Sequence, residues 1–212
     1  MIELFIDTVS SRIIVAILKD GKIKSIHNEK NGHDLSTRIL PIIDNVFNEA
    51  KVIPNEVDTI YVVNGPGSFT GIRIGVTIAK TYAWSMKKRI ITLSELALMA
   101  TTSVDTDLII PLIDARRNAS YAGIYDKNGN SVLSDCYISN DDLKEKLSKD
   151  KTFTFISYDN IDAFDTVEPN IDLELFINMH RNDVAKNPHE VNPEYLKLTE
   201  AEENLKKDKY DN

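Results

Sequence analysis

Every fourth residue from Gly67 to Ala83 is small: Gly67, Gly71, Gly75, Ala79 and Ala83. At helical spacing the last four lie on one face and form a stripe almost free of side chains. Glycine inside a helix costs about 1 kcal/mol against alanine, so Gly71 and Gly75 together weaken the isolated helix by about 2 kcal/mol. Close packing offsets such a loss, because small residues let a neighbouring backbone approach and add dispersion contacts. The remaining faces carry Ile72, Ile74, Val76 and Ile78, relieved only by Arg73, Thr77, Lys80 and Thr81. Such a helix is covered on two sides. A sheet is one cover. The other is the helix expected over 35–47 of the same chain or a helix of a partner, and periodicity leaves both open.

The stretch that opens this helix, "NGPGSFTG", also has to be tested as a phosphate cradle. A Walker A loop needs glycine, four residues and then Gly-Lys-Ser/Thr, and from Gly65 or Gly67 that register lands on Thr70 or Ile72. The dinucleotide pattern G-x-G-x-x-G starts correctly at Gly65 and Gly67, but Thr70 stands where its third glycine belongs. Neither motif is present. A helix start still turns free N–H groups toward an anion, and Ser68 and Thr70 add hydroxyls; both are also ordinary N-cap residues.

Around the helix the periodicities alternate. "IELFIDT" reads as a buried strand, and "RIIVAILKDGKIKSIH" as two more strands turning at Asp20-Gly21. Leu35, Ile39, Ile42, Ile43, Val46 and Phe47 are at helical spacing, with Asp34 as expected N-cap and Pro41 expected to kink the helix or delay its start. "EVDTIYVVN" predicts a strand, Thr70 to Met86 a helix, "RIITL" a strand, and "SELALMATT" a helix capped by Ser94. The order is βββαβαβα.

From about Thr101 the texture repeats more weakly. Strands are expected at "DLIIPLIDA", "SYAGIYD", "SVLSDCYI" and "TFTFIS", and helices at "NDDLKEKLSKD" and "IDLELFINMH". A lobe boundary near Ser103 to Asp105 divides the chain into an N-terminal lobe, 1–103, with dimerisation helices, and a smaller C-terminal lobe, 104–212. The closing "TEAEENLKKDKYDN" is charged and expected to be a frayed helix or disordered tail. This is the order of an α/β actin-like ATPase fold (ASKHA, RNase H-like): two lobes, βββαβα in the first, the second shortened. That likeness concerns architecture alone.

The chemistry that the chain lacks narrows its function. With 33 acidic and 25 basic residues its formal charge is −8, which disfavours tight binding of a phosphate backbone by this chain alone. The longest apolar run, Ile13 to Leu18, is far short of the roughly 20 residues of a membrane helix. With no signal-like start and a lone cysteine, Cys136, a cytoplasmic setting is expected. The four histidines, His27, His33, His180 and His189, include no pair at i, i+4, so no metal site is expected. No G-x-S-x-G elbow occurs, and no catalytic residue is assigned. Two carboxylates stand out. Asp114, in "LIDARRN" beside Arg116 and Arg117, reads as a local ion pair or turn cap. Asp7 and Thr8 open "DTVSS", where actin-like ATPases direct their metal; the loop has no glycine, and beyond Gly75 only Gly123 and Gly129 occur. It reads as a vestigial nucleotide loop.

"GPGSFTGIRIG" at 65–75, "IDARRNASYAGIY" at 113–125 and "NPEYLK" at 192–197 together resemble the TsaB (YeaZ) family of bacterial tRNA threonylcarbamoyladenosine biosynthesis proteins. The resemblance implies a non-catalytic scaffold and dimerisation subunit. It pairs with a catalytic paralogue, TsaD, which the ATPase TsaE joins, and the complex transfers a threonylcarbamoyl group to N6 of adenosine 37 in tRNA. It further implies an interface on the first two helices, here Arg38, Ile39, Ile42, Ser68, Phe69, Gly71, Ile72, Gly75 and Ala79, with homodimers forming in isolation. No cofactor is implied on this chain alone; ATP or ADP belongs at the interface of the complex, tRNA reaches the chain only through the complex, and no membrane is involved. Leu35 stands where the family usually has a histidine, with His33 two residues earlier, and Ala119 where a glutamate is common. The alternative is a stand-alone actin-like ATPase or small-molecule phosphotransferase. The catalytic paralogue itself is rejected for want of its paired metal histidines, second-lobe glycines and length, and a peptidase for want of a nucleophile or metal site.

Overall fold

Two five-stranded sheets repeat one topology. In the computed structural model, which describes residues 1–32, 34–147 and 150–197, the first sheet has the order β3-β2-β1-β4-β5. Its strands are β1 (Ile2–Asp7), β2 (Arg12–Lys19), β3 (Lys22–Lys30), β4 (Thr59–Gly65) and β5 (Arg89–Ser94). The second sheet has the order β8-β7-β6-β9-β10, built from β6 (Leu108–Asp114), β7 (Ala119–Asp126), β8 (Ser131–Ser139), β9 (Phe153–Ile156) and β10 (Thr166–Val167). In each sheet the first strand is antiparallel to the second and parallel to the fourth. Asp7 and Asp114 therefore end equivalent central strands. This is the mixed α/β, actin-like architecture expected from the order of elements.

Strands covered on both faces read as continuous apolar runs, and β4, "TIYVVNG", is buried at every residue. One cover is α1 (Leu35–Ala50), packed on β2 and β3; another is α2 (Phe69–Met86), packed on β4, β5 and β1. The short α3 (Glu95–Met99) follows β5, and Ser94 caps it as expected, its hydroxyl accepting from the Ala97 amide at 3.2 Å. The second sheet carries α4 (Asn140–Lys146), and the last helix is α5 (Leu173–His180). Leu96, Met99 and Ala100 of the α3 region join Ile109, Tyr125 and Ile156 of the second sheet in a buried cluster that connects the lobes.

Two expectations need correction, and one strand was not expected. Asp34 precedes α1 but its side chain makes no capping bond; its backbone is not extended, and its carboxylate lies 3.6 Å from the Arg38 guanidinium instead. Of the two effects expected of Pro41, the delayed start does not occur, since α1 begins at Leu35 and continues through Pro41 to Ala50. Pro41 and Thr37 are both exposed, so the Thr37 carbonyl deprived of its i+4 donor faces water. The unexpected strand, two-residue β10, had no periodicity by which to be read.

Beyond the second sheet the chain crosses back. Leu173, Phe176 and Ile177 of α5, with Val191, pack into the core of the first sheet. The segment after α5 runs along the first lobe: Lys186 bridges Ile90, the Glu194 amide donates to the Asn64 carbonyl at 2.8 Å, and the Asn64 side chain donates to the Asn192 carbonyl at 3.1 Å. The expected charged tail and His33 lie outside the described residues. Among those described, no helix is long and apolar enough to cross a membrane.

Candidate functional site

The small-residue stripe meets its own chain. Because β1 and β4 are parallel neighbours, the end of β1 lies beneath the first turns of α2, which follows β4. A Cβ on Gly71 would lie 2.0 Å from the Thr8 carbonyl oxygen, and one on Gly75 would lie 2.5 Å from the Thr8 hydroxyl. That hydroxyl donates to the Gly71 carbonyl at 2.7 Å. The cover over these two glycines is the β1–β2 loop, neither of the helices that periodicity had left open.

The docking and the helix cap together engage two of the donors at the helix start. The Ser68 amide donates to the Val9 carbonyl at 2.7 Å, the Gly71 amide to the Ser68 hydroxyl at 3.2 Å, and the Val9 amide to the Asp7 carboxylate at 2.8 Å. Gly67, at φ +152°, holds its Cα against the Val9 carbonyl, which a Cβ would approach to 2.4 Å. Ser68 is the N-cap and Thr8 the tie between loop and helix.

Beneath this junction two carboxyls lie in the interior. Asp7 and Glu95 are both fully buried, and Asp7 Oδ2 and both Glu95 oxygens lack a hydrogen-bond partner of ordinary geometry. Burial raises the Asp7 carboxyl to about 6, against the opposing pull of the Val9 amide. Burial raises Glu95 well above the usual carboxylate range, and the Asp7 charge adds to the effect. Sequence reasoning singled out Asp7 and missed Glu95, whose place in the first turn of α3 looks like a routine complement to a helix dipole.

Above the pair a cleft of about 300 Å³ opens between the lobes, lined by Ser10, Gly67, Ser68, Asp114, Tyr121, Tyr158 and Asp159 among others. Asp114 is a turn cap, as one of its two readings had it: its Oδ1 accepts from the Arg116 amide at 2.8 Å. Its own amide donates to Asp159 at 2.9 Å. The turn holds Arg116, Arg117 and Asn118 at φ +62°, +56° and +55°, a run of left-handed residues. Asn118 anchors it, its carbonyl accepting from the Asn140 amide at 2.9 Å. A larger groove of about 970 Å³ on another side includes Glu174 and His180, both already paired, with Lys22 and Asp183 respectively.

Of the nine expected interface residues, Ile39, Ile42, Gly71, Ile72, Gly75 and Ala79 are buried, Arg38 is half-buried, and Ser68 and Phe69 are exposed. Their exposed neighbours include Leu40, at 60% exposure, and Trp84, at 62%. The strap after α5 adds to this surface, since Tyr195 stacks on Phe69 with ring centroids 4.9 Å apart. Among the described residues no group of three histidines, cysteines or carboxylates is placed to hold a metal, and Cys136 is half-buried with its thiol pushed up by burial.

The family model for TsaD, tRNA N6-adenosine threonylcarbamoyltransferase, matches residues 20–203. The tRNA threonylcarbamoyladenosine biosynthesis protein TsaB of Bacillus subtilis is 33% identical over 95% of this chain and 96% of its own length. TsaB of Escherichia coli is 30% identical over 61% of this chain and 57% of its own length. A solved structure described as an uncharacterized protein with similarity to peptidase YEAZ from Pseudomonas aeruginosa superposes with a TM-score of 0.75, covering 92% of this chain and 99% of that one. YeaZ from Pseudomonas aeruginosa gives 0.72 with the same coverage, and both are 23% identical, so these two speak for the fold.

Proposed function

This chain belongs to the TsaB (YeaZ) family of tRNA threonylcarbamoyladenosine biosynthesis proteins, and from that membership we propose that it is the non-catalytic scaffold subunit of a cytoplasmic tRNA threonylcarbamoyltransferase complex. Its α1 and α2 face the catalytic TsaD-like paralogue, and the pair receives a TsaE-like ATPase. A partner on these helices touches Arg38, Ser68, Phe69 and exposed neighbours such as Leu40, while Ile39, Ile42, Ile72 and Ala79 form the floor beneath.

One observation carries the scaffold reading: at the glycine-rich helix start the Ser68 amide is bonded to the Val9 carbonyl of the chain's own β1–β2 loop, and the Gly71 amide to the Ser68 hydroxyl. A helix terminus binds an anion through free N–H groups, and here the Ser68 and Gly71 donors are engaged. In the stand-alone ATPase or phosphotransferase reading, a phosphate seated on the Ser68 amide has to displace the Val9 carbonyl of that loop. ATP or ADP belongs at the joint with the paralogue, and tRNA arrives through the complex.

Co-expression with the TsaD paralogue followed by gel filtration tests the scaffold. A stable co-eluting complex is expected. Titration of the purified chain alone with MgATP is expected to give no micromolar binding, and turnover by the lone chain would overturn the proposal in favour of the enzyme.

A further inference from the structure

The chain is acidic at −8, yet four cations near the interlobe cleft have no acidic partner among the described residues. Among the described residues none of Arg12, Arg73, Arg116 or Lys197 forms a salt bridge. Three of them lie against aromatic rings instead. Arg12 is 6.0 Å from the centre of the Tyr158 ring, Arg73 is 3.8 Å from that of Phe69, and Lys197 is 4.6 Å from that of Tyr137. The fourth, Arg116, sits on the β6–β7 turn just past Asp114, which lines the cleft.

The rings join in a series around the mouth. Tyr195 stacks on Phe69 and accepts from Arg73 Nε at 2.9 Å; through Leu196 the strap reaches Lys197, which lies on Tyr137; Tyr137 meets Tyr121 edge-on at 5.9 Å. Tyr121 and Tyr158 both line the cleft, and Phe69 adjoins Ser68 on its opposite wall. Inside, Asp114 and Asp159 are held in orientation by backbone amides. The outside thus offers unpaired cations, and the inside offers flat rings and hydrogen-bond acceptors. Phosphates suit the rim, and carboxylates exclude them from the interior. A nucleobase, aromatic and bearing N–H donors, suits the interior. Stacking rings beside a cationic track is the arrangement by which proteins hold single-stranded nucleic acid.

We infer that the mouth of the interlobe cleft holds a nucleotide of a single-stranded segment of RNA, its phosphates against Arg12, Arg116 and Lys197 and its base against Tyr121 and Tyr158. The inference rests on the scaffold reading in one respect: an acidic chain captures RNA weakly by itself, so the catalytic partner supplies most of the affinity. Arg116 and Tyr121 belong to the second lobe, whereas Lys197 lies on the strap beside Phe69, so assembly with the partner is checked for every variant.

The complex of this chain with its TsaD-like paralogue is titrated with tRNA at several salt concentrations, using wild type, the double variant Arg116→Ala/Lys197→Ala, Tyr121→Leu, and Lys24→Ala on β3 as control. Loss of two phosphate contacts to a single strand is expected to weaken binding about tenfold or more and to lower the salt slope by about 1.4. Tyr121→Leu is expected to weaken binding with the slope unchanged, and Lys24→Ala to behave as wild type. Gel filtration and thermal melts show that each variant is folded and assembled. Assembled variants that bind tRNA at wild-type strength and slope overturn the inference while leaving the scaffold standing. Failure of the wild-type chain to assemble overturns both. In a parallel titration with AMP, variants that lose AMP binding but hold tRNA normally overturn it in favour of a free nucleotide, and variants that lose only the partner overturn it in favour of a protein contact.

Discussion

Thr8 and Gly71 hold each other in both directions of the chain: the Thr8 hydroxyl donates to the Gly71 carbonyl at 2.7 Å, and the Thr8 carbonyl fills the space where a Gly71 side chain would stand. This contact joins the end of β1 to the first turn of α2 and closes the β1–β2 loop over the helix start.

Gly71→Ala is therefore expected to destabilise the protein although alanine is the better helix former. The propensity gain is about 1 kcal/mol, while the added carbon would sit 2.0 Å from a backbone oxygen that cannot swing aside. Overpacking of this kind costs about 1–3 kcal/mol, so a net loss of up to about 2 kcal/mol is expected. Urea denaturation of Gly71→Ala against wild type measures it; a more stable variant would mean that the loop is not docked.

Thr8→Val tests the other half of the contact. The side chain keeps its shape and loses its donor, leaving the Gly71 carbonyl without that partner in a buried place. A loss of about 1–3 kcal/mol is expected, together with faster amide exchange at Ser68 and Val9, whose bonds depend on the loop staying down. Hydrogen exchange followed residue by residue reads both.

Much of this was legible beforehand. Long periodic runs such as "RIIVAIL" and the spacing of Leu35 to Phe47 marked strands and helices, and the small-residue stripe announced a close approach. What the stripe could not announce was the neighbour. Periodicity describes one surface of one element, and Thr8 reaches Gly71 across 63 residues through the parallel pairing of β1 and β4. The burial of Ile39, Ile42 and Ala79 follows from the same limit, since an apolar face turned to a partner and one turned to a sheet have the same spacing. The return of α5 to the first core was hidden for this reason too. Glu95 was hidden because a glutamate opening a helix ordinarily faces water, and only the tertiary fold places it beside Asp7.

That pair predicts how stability depends on pH. Both carboxyls are raised in the folded state, by burial foremost, so the native protein binds more protons than the unfolded chain. Stability then falls with rising pH. For Asp7 the loss runs from its usual 3.8 to about 6, and Glu95 continues it above that range. Glu95→Gln removes the second charge while keeping the shape, so it is expected to melt higher than wild type at pH 8 and to differ little at pH 4. Melting curves across that range decide; an equal difference at both pH values would show that the two groups do not titrate with folding.

The proposed partner surface can be tested by separating the buried from the exposed part of α1 and α2. Gly75→Leu forces a branched side chain against the Thr8 hydroxyl, 2.5 Å from where its Cβ would lie, so it is expected to lower the melting temperature sharply and to lose the partner only as a consequence. Leu40 is 60% exposed and Phe69 45%, and changing them leaves the core intact. Leu40→Asp is expected to weaken association with the TsaD-like paralogue at unchanged melting temperature, because a charge placed in the centre of an interface must be desolvated without a counter-charge. Phe69→Ala removes the ring under both Arg73 and Tyr195, and a loss of about 1–2 kcal/mol in association is expected where such an anchor lies at the interface. Calorimetric titration of each folded variant into the paralogue gives the ordering. Wild-type affinity for both Leu40→Asp and Phe69→Ala would move the interface off these helices altogether.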